Sequence, residues 1–164
     1  LQLSDGTKFA PQFIEARLRF SPYIKDVIAV GEGSPFISVL AAMDYDNVGK
    51  LAERMRIPYT TYVDLSQMPE VREIILREIK RVNFVLPKAS KIRKFISLNK
   101  ELDPDEAELT RTRKLRRWFM YERYAEMVEA MYSGQDQYGV ESTVTYKDGR
   151  TAVVRTSVKI NSVE

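Results

Sequence analysis

The spacing of apolar positions changes several times along the chain, and each change marks an element. Residues 1 to 10 read as an opening strand and loop. Pro11 suits the first turn of a helix, and Ile14 and Leu18 share a face, so a short helix is predicted to Arg19, stopped by Ser21-Pro22. Two unbroken apolar runs follow, Asp26 to Gly31 (Val27-Ile28-Ala29-Val30) and Phe36 to Met43, joined by Gly33-Ser34-Pro35. Their length and turn predict a buried hairpin. Helical spacing returns at Val48, Leu51, Ala52 and Met55, with Asp46 or Asn47 as the cap. Residues 56 to 67 form a loop rich in Tyr and Thr. Pro69 opens a long helix striped by Val71, Ile74, Ile75, Ile79 and Val82, and Lys94 to Leu98 reads as a strand. Asp103-Pro104-Asp105 is a turn.

From about Leu115 to Tyr132, the residues Trp118, Tyr121, Ala125, Val128 and Tyr132 follow the spacing of one helical face. That aromatic stripe reads as core, and Ser133-Gly134 ends the helix. In the tail, Val140, Ser142, Val144 and Tyr146 alternate with polar residues, and the same alternation returns over residues 151–160. Asp148-Gly149 between them is a two-residue type I′ turn signal. A two-stranded hairpin is marginal alone, so this one is expected to dock on the main body. Together the elements predict an α+β domain with a small sheet flanked by helices and a C-terminal β-hairpin.

Composition narrows the chemistry. The 164 residues suffice for one domain with a core, and 44% hydrophobic content excludes a disordered chain. There is no Cys, which removes disulfides, thiol nucleophiles and thiolate metal sites. There is no His, which removes His-based triads and the commonest acid–base group and metal ligand. Catalysis must use Lys, Arg, carboxylates, Tyr, Ser/Thr or backbone amides. The net charge of +3 is mildly basic. No apolar run approaches the roughly 18 residues of a membrane-spanning helix. The chain starts at Leu1 without a visible signal peptide, so it is expected to be a piece of a longer protein. Asp44-Tyr45-Asp46 offers two carboxylates without a third ligand, and no metal site is assigned.

Two stretches stand out. Glu108-Leu109-Thr110-Arg111-Thr112-Arg113-Lys114-Leu115-Arg116-Arg117 places two threonines and a lysine among arginines, after a strand and before a helix. Small hydroxyls favour a turn, and a turn can aim a cation at a phosphate or carboxylate. Taken alone, the run suits either an anion site around Lys114 or a solvated basic face. The second stretch is Gly6-Thr7-Lys8-Phe9-Ala10-Pro11-Gln12-Phe13-Ile14-Glu15. Its glycine permits positive φ or close backbone approach, and Pro11 starts a helix.

Together these motifs resemble the C-terminal domain of the adenylate-forming superfamily, and within it the long-chain fatty acyl-CoA synthetases (AMP-forming). The similarity covers residues 3 to 134, including Leu18-Arg19-Phe20-Ser21-Pro22-Tyr23-Ile24-Lys25 and Met131-Tyr132. It implies a compact mobile lid over residues 1–134, with 135–164 a docked hairpin extension. It also implies a reaction in two halves. Fatty acid and ATP give acyl-adenylate and pyrophosphate; CoA then attacks, giving acyl-CoA and AMP. By resemblance Lys114 is the adenylation lysine, supported by Thr110, Thr112 and Arg116. Gly6 borders the CoA channel after domain rotation, with Lys8 beside it and Pro11 and Glu15 supporting. Lys88, Lys91, Arg93 and Lys94 form a further basic cluster that suits either the CoA 3′-phosphate or, the commoner case for such a run, a solvated face after a helix. Arg113 stands where many relatives have Gly, and Arg111 where Pro is expected. ATP, CoA and Mg²⁺ are implied for the full-length enzyme and none for this domain alone. The implied partner is an upstream adenylation domain, in a cytoplasmic setting or at the cytoplasmic membrane face, with no membrane anchor encoded here. The competing reading is a basic module for nucleic acid or an acidic partner, built on Arg111 to Arg117 with Trp118, Phe119 and Tyr121.

Overall fold

Strands β1 (Ile24–Val30) and β2 (Ile37–Met43) pair antiparallel, Val27 opposite Ala41, as the two apolar runs predict. The computed structural model describes residues 1–146 and 148–163. Among these, β1 and β2 belong to a four-stranded sheet of order β1-β2-β3-β6. Strand β3 (Ile92–Ser97) runs parallel to β2, and β6 (Asn161–Ser162) pairs with β3. Side chains alternate between the faces of a strand, and β2 is buried along its whole length because both faces are covered. Helices α1 (Pro11–Arg19), α2 (Tyr45–Arg54) and α4 (Pro69–Asn83) cover one face: Ile14, Leu18, Val48, Ile75 and Ile79 join Val27, Val39 and Phe95. Helices α5 (Arg117–Arg123) and α6 (Ala125–Tyr132) cover the other, where Met120, Tyr124, Met127 and Met131 join Ile28, Leu40 and Ile96.

Four local expectations are corrected. Asp44, rather than Asp46 or Asn47, caps α2, accepting the Asn47 N–H at 3.0 Å. The Tyr- and Thr-rich loop contains one helical turn, α3 (Tyr62–Ser66), capped by Thr61 Oγ1. The long final helix is two helices, because Tyr124 (φ −101°, ψ 14°) interrupts it. Its buried stripe is Met120, Tyr124, Met127 and Met131, while Trp118 is 74% exposed and Ala125 lies outward. Tyr121, Val128 and Tyr132 line the edge of that stripe. Both stripes have helical spacing, so periodicity alone does not select between them.

The fourth correction concerns the tail. Strands β4 (Gln137–Thr145) and β5 (Thr151–Lys159) form the expected hairpin. Thr145 faces Thr151, and Tyr146 N donates to Arg150 O, leaving three residues in the connection rather than two. Gly149, at φ 84°, takes the left-handed bulge position and donates to Tyr146 O. The connection includes Lys147, which lies outside the described residues. The hairpin packs on the second face through Val158, and Gln67 Oε1 accepts the Lys159 N–H at 3.0 Å.

Candidate functional site

The lysine motif folds into a tight turn held by its own threonines. Leu109 and Leu115 form an isolated bridge, and within it Thr110 N donates to Lys114 O and Arg113 N to Thr110 O. Thr110 Oγ1 accepts the Lys114 N–H at 3.0 Å and lies 3.1 Å from Thr112 Oγ1. Below the turn, Glu108 is fully buried. Its carboxylate takes Lys100 Nζ and the Tyr124 hydroxyl, both at 2.5 Å, and the Asp103 N–H at 3.2 Å. Burial first, then this carboxylate, raises the Tyr124 pKa, so the phenol stays protonated as the donor. Arg116 donates to Ala107 O and lies 5.3 Å over the Phe119 ring.

The arginines on either side of the lysine reach inward. Arg113 donates to Asp26 on β1 at 2.8 Å, and Asp26 is 4% exposed. Arg117 forms a two-pronged pair with Glu15 on α1, at 2.5 and 2.8 Å, and Glu15 is 1% exposed. Glu15 also accepts the Ala29 N–H at 2.8 Å. These bonds to Glu15 raise the Arg117 pKa further and keep it charged. Lys114 remains exposed, with no side-chain hydrogen bond or ion pair among the described residues. The fold thus pairs Arg113 and Arg117 with buried carboxylates and leaves the Lys114 ammonium, like the exposed Arg111, open to an incoming anion.

The glycine motif lies at the other end of β1. Leu3 N donates to Thr7 O, and Gly6, at φ 90°, donates to Leu3 O. The loop is tied to the β1–β2 turn by Gly33 N to Gln2 O and Ser4 N to Ser34 O. Asp26 and Val30 mark the two ends, about 13 Å apart at roughly 3.3 Å per residue. A Cβ on Gly6 meets only Gln2 Nε2, at 3.6 Å, so the requirement for glycine within this chain is its φ rather than crowding. Lys8 is exposed. Pro11 occupies the first position of α1, whose buried Glu15 connects the glycine motif to Arg117. Beside the loop, a groove of about 360 Å³ is lined by Asp5, Phe36, Ala89, Arg93 and Lys94. The fold therefore brings two of the predicted cluster to the glycine loop, with Lys88 exposed next to Ala89. Lys94 is partly committed elsewhere, donating to Met131 O at 2.9 Å.

Asp26 is the residue that sequence reasoning passed over. The signal was present: a carboxylate at the start of an apolar strand needs a partner. Among the described residues, no group of acidic side chains lies where it could hold a metal ion, and no helix is long and apolar enough to cross a membrane.

Residues 1–136 match the model of the AMP-binding enzyme C-terminal domain. The chain belongs to that family. Long-chain-fatty-acid–CoA ligase FadD15 of Mycobacterium tuberculosis is 31% identical to this AMP-binding C-terminal domain over 129 residues, which is 78% of the chain and 22% of FadD15. The domain thus spans about a fifth of that relative's length. Two solved structures share the fold. The A-PCP didomain of carboxylic acid reductase from Segniliparus rugosus, in complex with AMP, has a TM-score of 0.64 at 18% identity, covering 81% of this chain and 17% of that one. The adenylation domain of a carboxylate reductase from Mycobacterium chelonae has a TM-score of 0.64 at 20% identity, covering 81% and 19%.

Proposed function

We propose that this domain is the mobile catalytic lid of an AMP-forming long-chain fatty acid:CoA ligase. In this reading it works on an upstream adenylation domain that holds ATP, Mg²⁺ and the acyl chain, and is inactive alone. Residues 1–134 are the lid, and 135–164 a hairpin extension. The setting is cytoplasmic or at the cytoplasmic membrane face.

The observation that carries the reading is Lys114, an ammonium unpartnered among the described residues on the closing residue of a turn, between Arg113 and Arg117, which are bound to buried carboxylates. In the first half-reaction the fatty carboxylate attacks the α-phosphate and pyrophosphate leaves. Negative charge collects between the two groups, and a fixed cation lowers the barrier without proton transfer. Losing such a contact costs on the order of 3–4 kcal/mol. In the second half the CoA thiol attacks the acyl carbonyl and AMP leaves. The position of Gly6 at the far end of β1 supports a separate role there, reached by rotating the whole domain. Lys8, Arg93 and Lys94 border the same loop region and supply positive charge for the CoA phosphates.

The nucleic-acid reading needs a run of free cations. Arg113 and Arg117 are paired with the buried carboxylates of Asp26 and Glu15, so only Arg111, Lys114 and Arg116 of the run keep a charge uncompensated among the described residues, a poor phosphate track despite the exposed Trp118.

The test uses the full-length synthetase and its Lys114→Ala variant. Fatty-acid-dependent ATP–pyrophosphate exchange should collapse by about 10²–10³, while CoA attack on supplied acyl-adenylate largely survives. Unchanged exchange refutes the assignment.

A further inference from the structure

Arg113 adopts a backbone conformation that disfavours side chains, and does so immediately before the lysine. Its φ is 62°, in the left-handed region, which costs a non-glycine residue about 1–2 kcal/mol. The three-residue connection after β4 has the same hydrogen bonds, Gly149 N to Tyr146 O and Tyr146 N to Arg150 O, with glycine at the matching position. The chain therefore uses glycine for this geometry in the tail and arginine in the lysine turn. Something must hold the arginine there.

The guanidinium supplies the reason. It reaches 2.8 Å from the carboxylate of Asp26, which is buried on β1. Burial pushes the Asp26 pKa up, and Arg113, with Lys25 and Arg19 further off, opposes that shift. Arg113 gives the only side-chain hydrogen bond to this carboxylate among the described residues, since Lys25 pairs instead with Glu101 at 3.9 Å. An unpaired buried carboxylate is costly, so the pair resists separation. The base of the turn is fixed independently, by Glu108 at one end and Arg117–Glu15 at the other. Among the described residues, only the Arg113–Asp26 pair fixes its tip to the sheet.

We propose that Asp26 is a positioning residue for adenylation: through Arg113 it locks the lysine turn in its left-handed conformation and sets where Lys114 presents its ammonium. The inference rests on the adenylation role of Lys114. A glycine makes the turn without conformational cost but leaves its tip unattached, whereas arginine makes the turn and cross-links it to β1.

The test runs in the full-length synthetase and in this chain. Asp26→Asn, Arg113→Ala, Arg113→Gly and the double variant Asp26→Asn/Arg113→Ala are assayed for ATP–pyrophosphate exchange and for CoA attack on supplied acyl-adenylate, with Lys114→Ala as reference. Asp26→Asn and Arg113→Ala should each lower the kcat of exchange about 10-fold or more, as displacement of a reacting group by about 1 Å does. The CoA step should stay within about 2-fold, and the double variant should be no worse than the worse single one, because the pair acts as a unit. Arg113→Gly should fall between wild type and Arg113→Ala. In the 164-residue chain, Asp26→Asn should speed hydrogen exchange at the Arg113 and Lys114 amides while β2 amides keep their rates. The proposal is overturned if Asp26→Asn leaves pyrophosphate exchange intact while Lys114→Ala abolishes it. Parallel loss of both half-reactions, or additive losses, also overturns it by reducing the pair to general stability. If Lys114→Ala retains exchange, the adenylation reading fails and the role of Asp26 fails with it.

Discussion

Replacing Arg117 with methionine tests whether the two motifs are one mechanical unit. Methionine keeps much of the apolar stem and removes the guanidinium. Glu15 then keeps one hydrogen bond, from Ala29 N at 2.8 Å, and loses both bonds to Arg117. Breaking a buried pair by removing one partner costs 3–5 kcal/mol in general. The Arg117 side chain is 18% exposed, so some water reaches the gap, and we take the lower end, about 3 kcal/mol. For a chain of this size, that lowers Tm by about 6–12 °C, at roughly 2–4 °C per kcal/mol. Glu15→Gln/Arg117→Met removes the stranded charge while retaining an acceptor for Ala29 N, so it should recover about 1–2 kcal/mol of the loss. Urea unfolding of wild type, both single variants and the double variant, at constant slope, reads these differences directly. A loss below about 1 kcal/mol in Arg117→Met, or a double variant that loses the full sum, would show that the bridge does not carry the connection.

Other outcomes follow from the same geometry. Lys114→Ala should leave the melting curve of the chain nearly unchanged, within about 0.5 kcal/mol, because the side chain is exposed and unpartnered; a larger change would mean that the lysine is structural. Gly6→Ala should cost about 1–2 kcal/mol by urea unfolding, from its φ of 90° alone, since the new Cβ finds room. Tyr62 and Tyr124 have pKa values raised, chiefly by burial, above the usual tyrosine value of about 10. Their contribution to stability is complete below pH 10 and is lost as pH rises through the folded values, at about 1.4 kcal/mol per pH unit for each proton withheld. Their tyrosinate absorbance should therefore appear together with loss of far-UV circular dichroism; their ionisation in a chain still folded by that measure refutes the assignment.

What could be read in the sequence divides along physical lines. The strands β1 and β2 were legible because continuous apolar runs bounded by Gly33-Ser34-Pro35 have few other folds open to them, and α4 because Pro69 and a five-residue stripe agree. The phase of the last helical segment was not, since the Met120–Met131 stripe and the aromatic stripe are equally periodic and only packing against Ile28 and Leu40 selects one. Strand β6, two residues long, exists through its pairing with β3 and has no local pattern to find. At the site, the order of Gly6, Pro11, Glu15 and Lys114 was readable as motif. Its long-range partners were not, because Arg117–Glu15 and Arg113–Asp26 join positions 102 and 87 residues apart.

Those two long-range pairs also account for a lysine flanked so closely by arginines. Like charges side by side repel, and a flexible basic run would spread Lys114 over many positions. Here two of these guanidiniums, Arg113 and Arg117, are drawn to different buried carboxylates, one on β1 and one on α1. Each pairing removes a competing charge from the surface and adds a fixed point on either side of the lysine. Because the anchors sit on different elements, pivoting about either one stretches the other. An arginine at a left-handed position is thus compatible with an ordered turn: the strain at Arg113 is offset by the ion pair it makes, and the Lys114 ammonium is left open to an incoming anion.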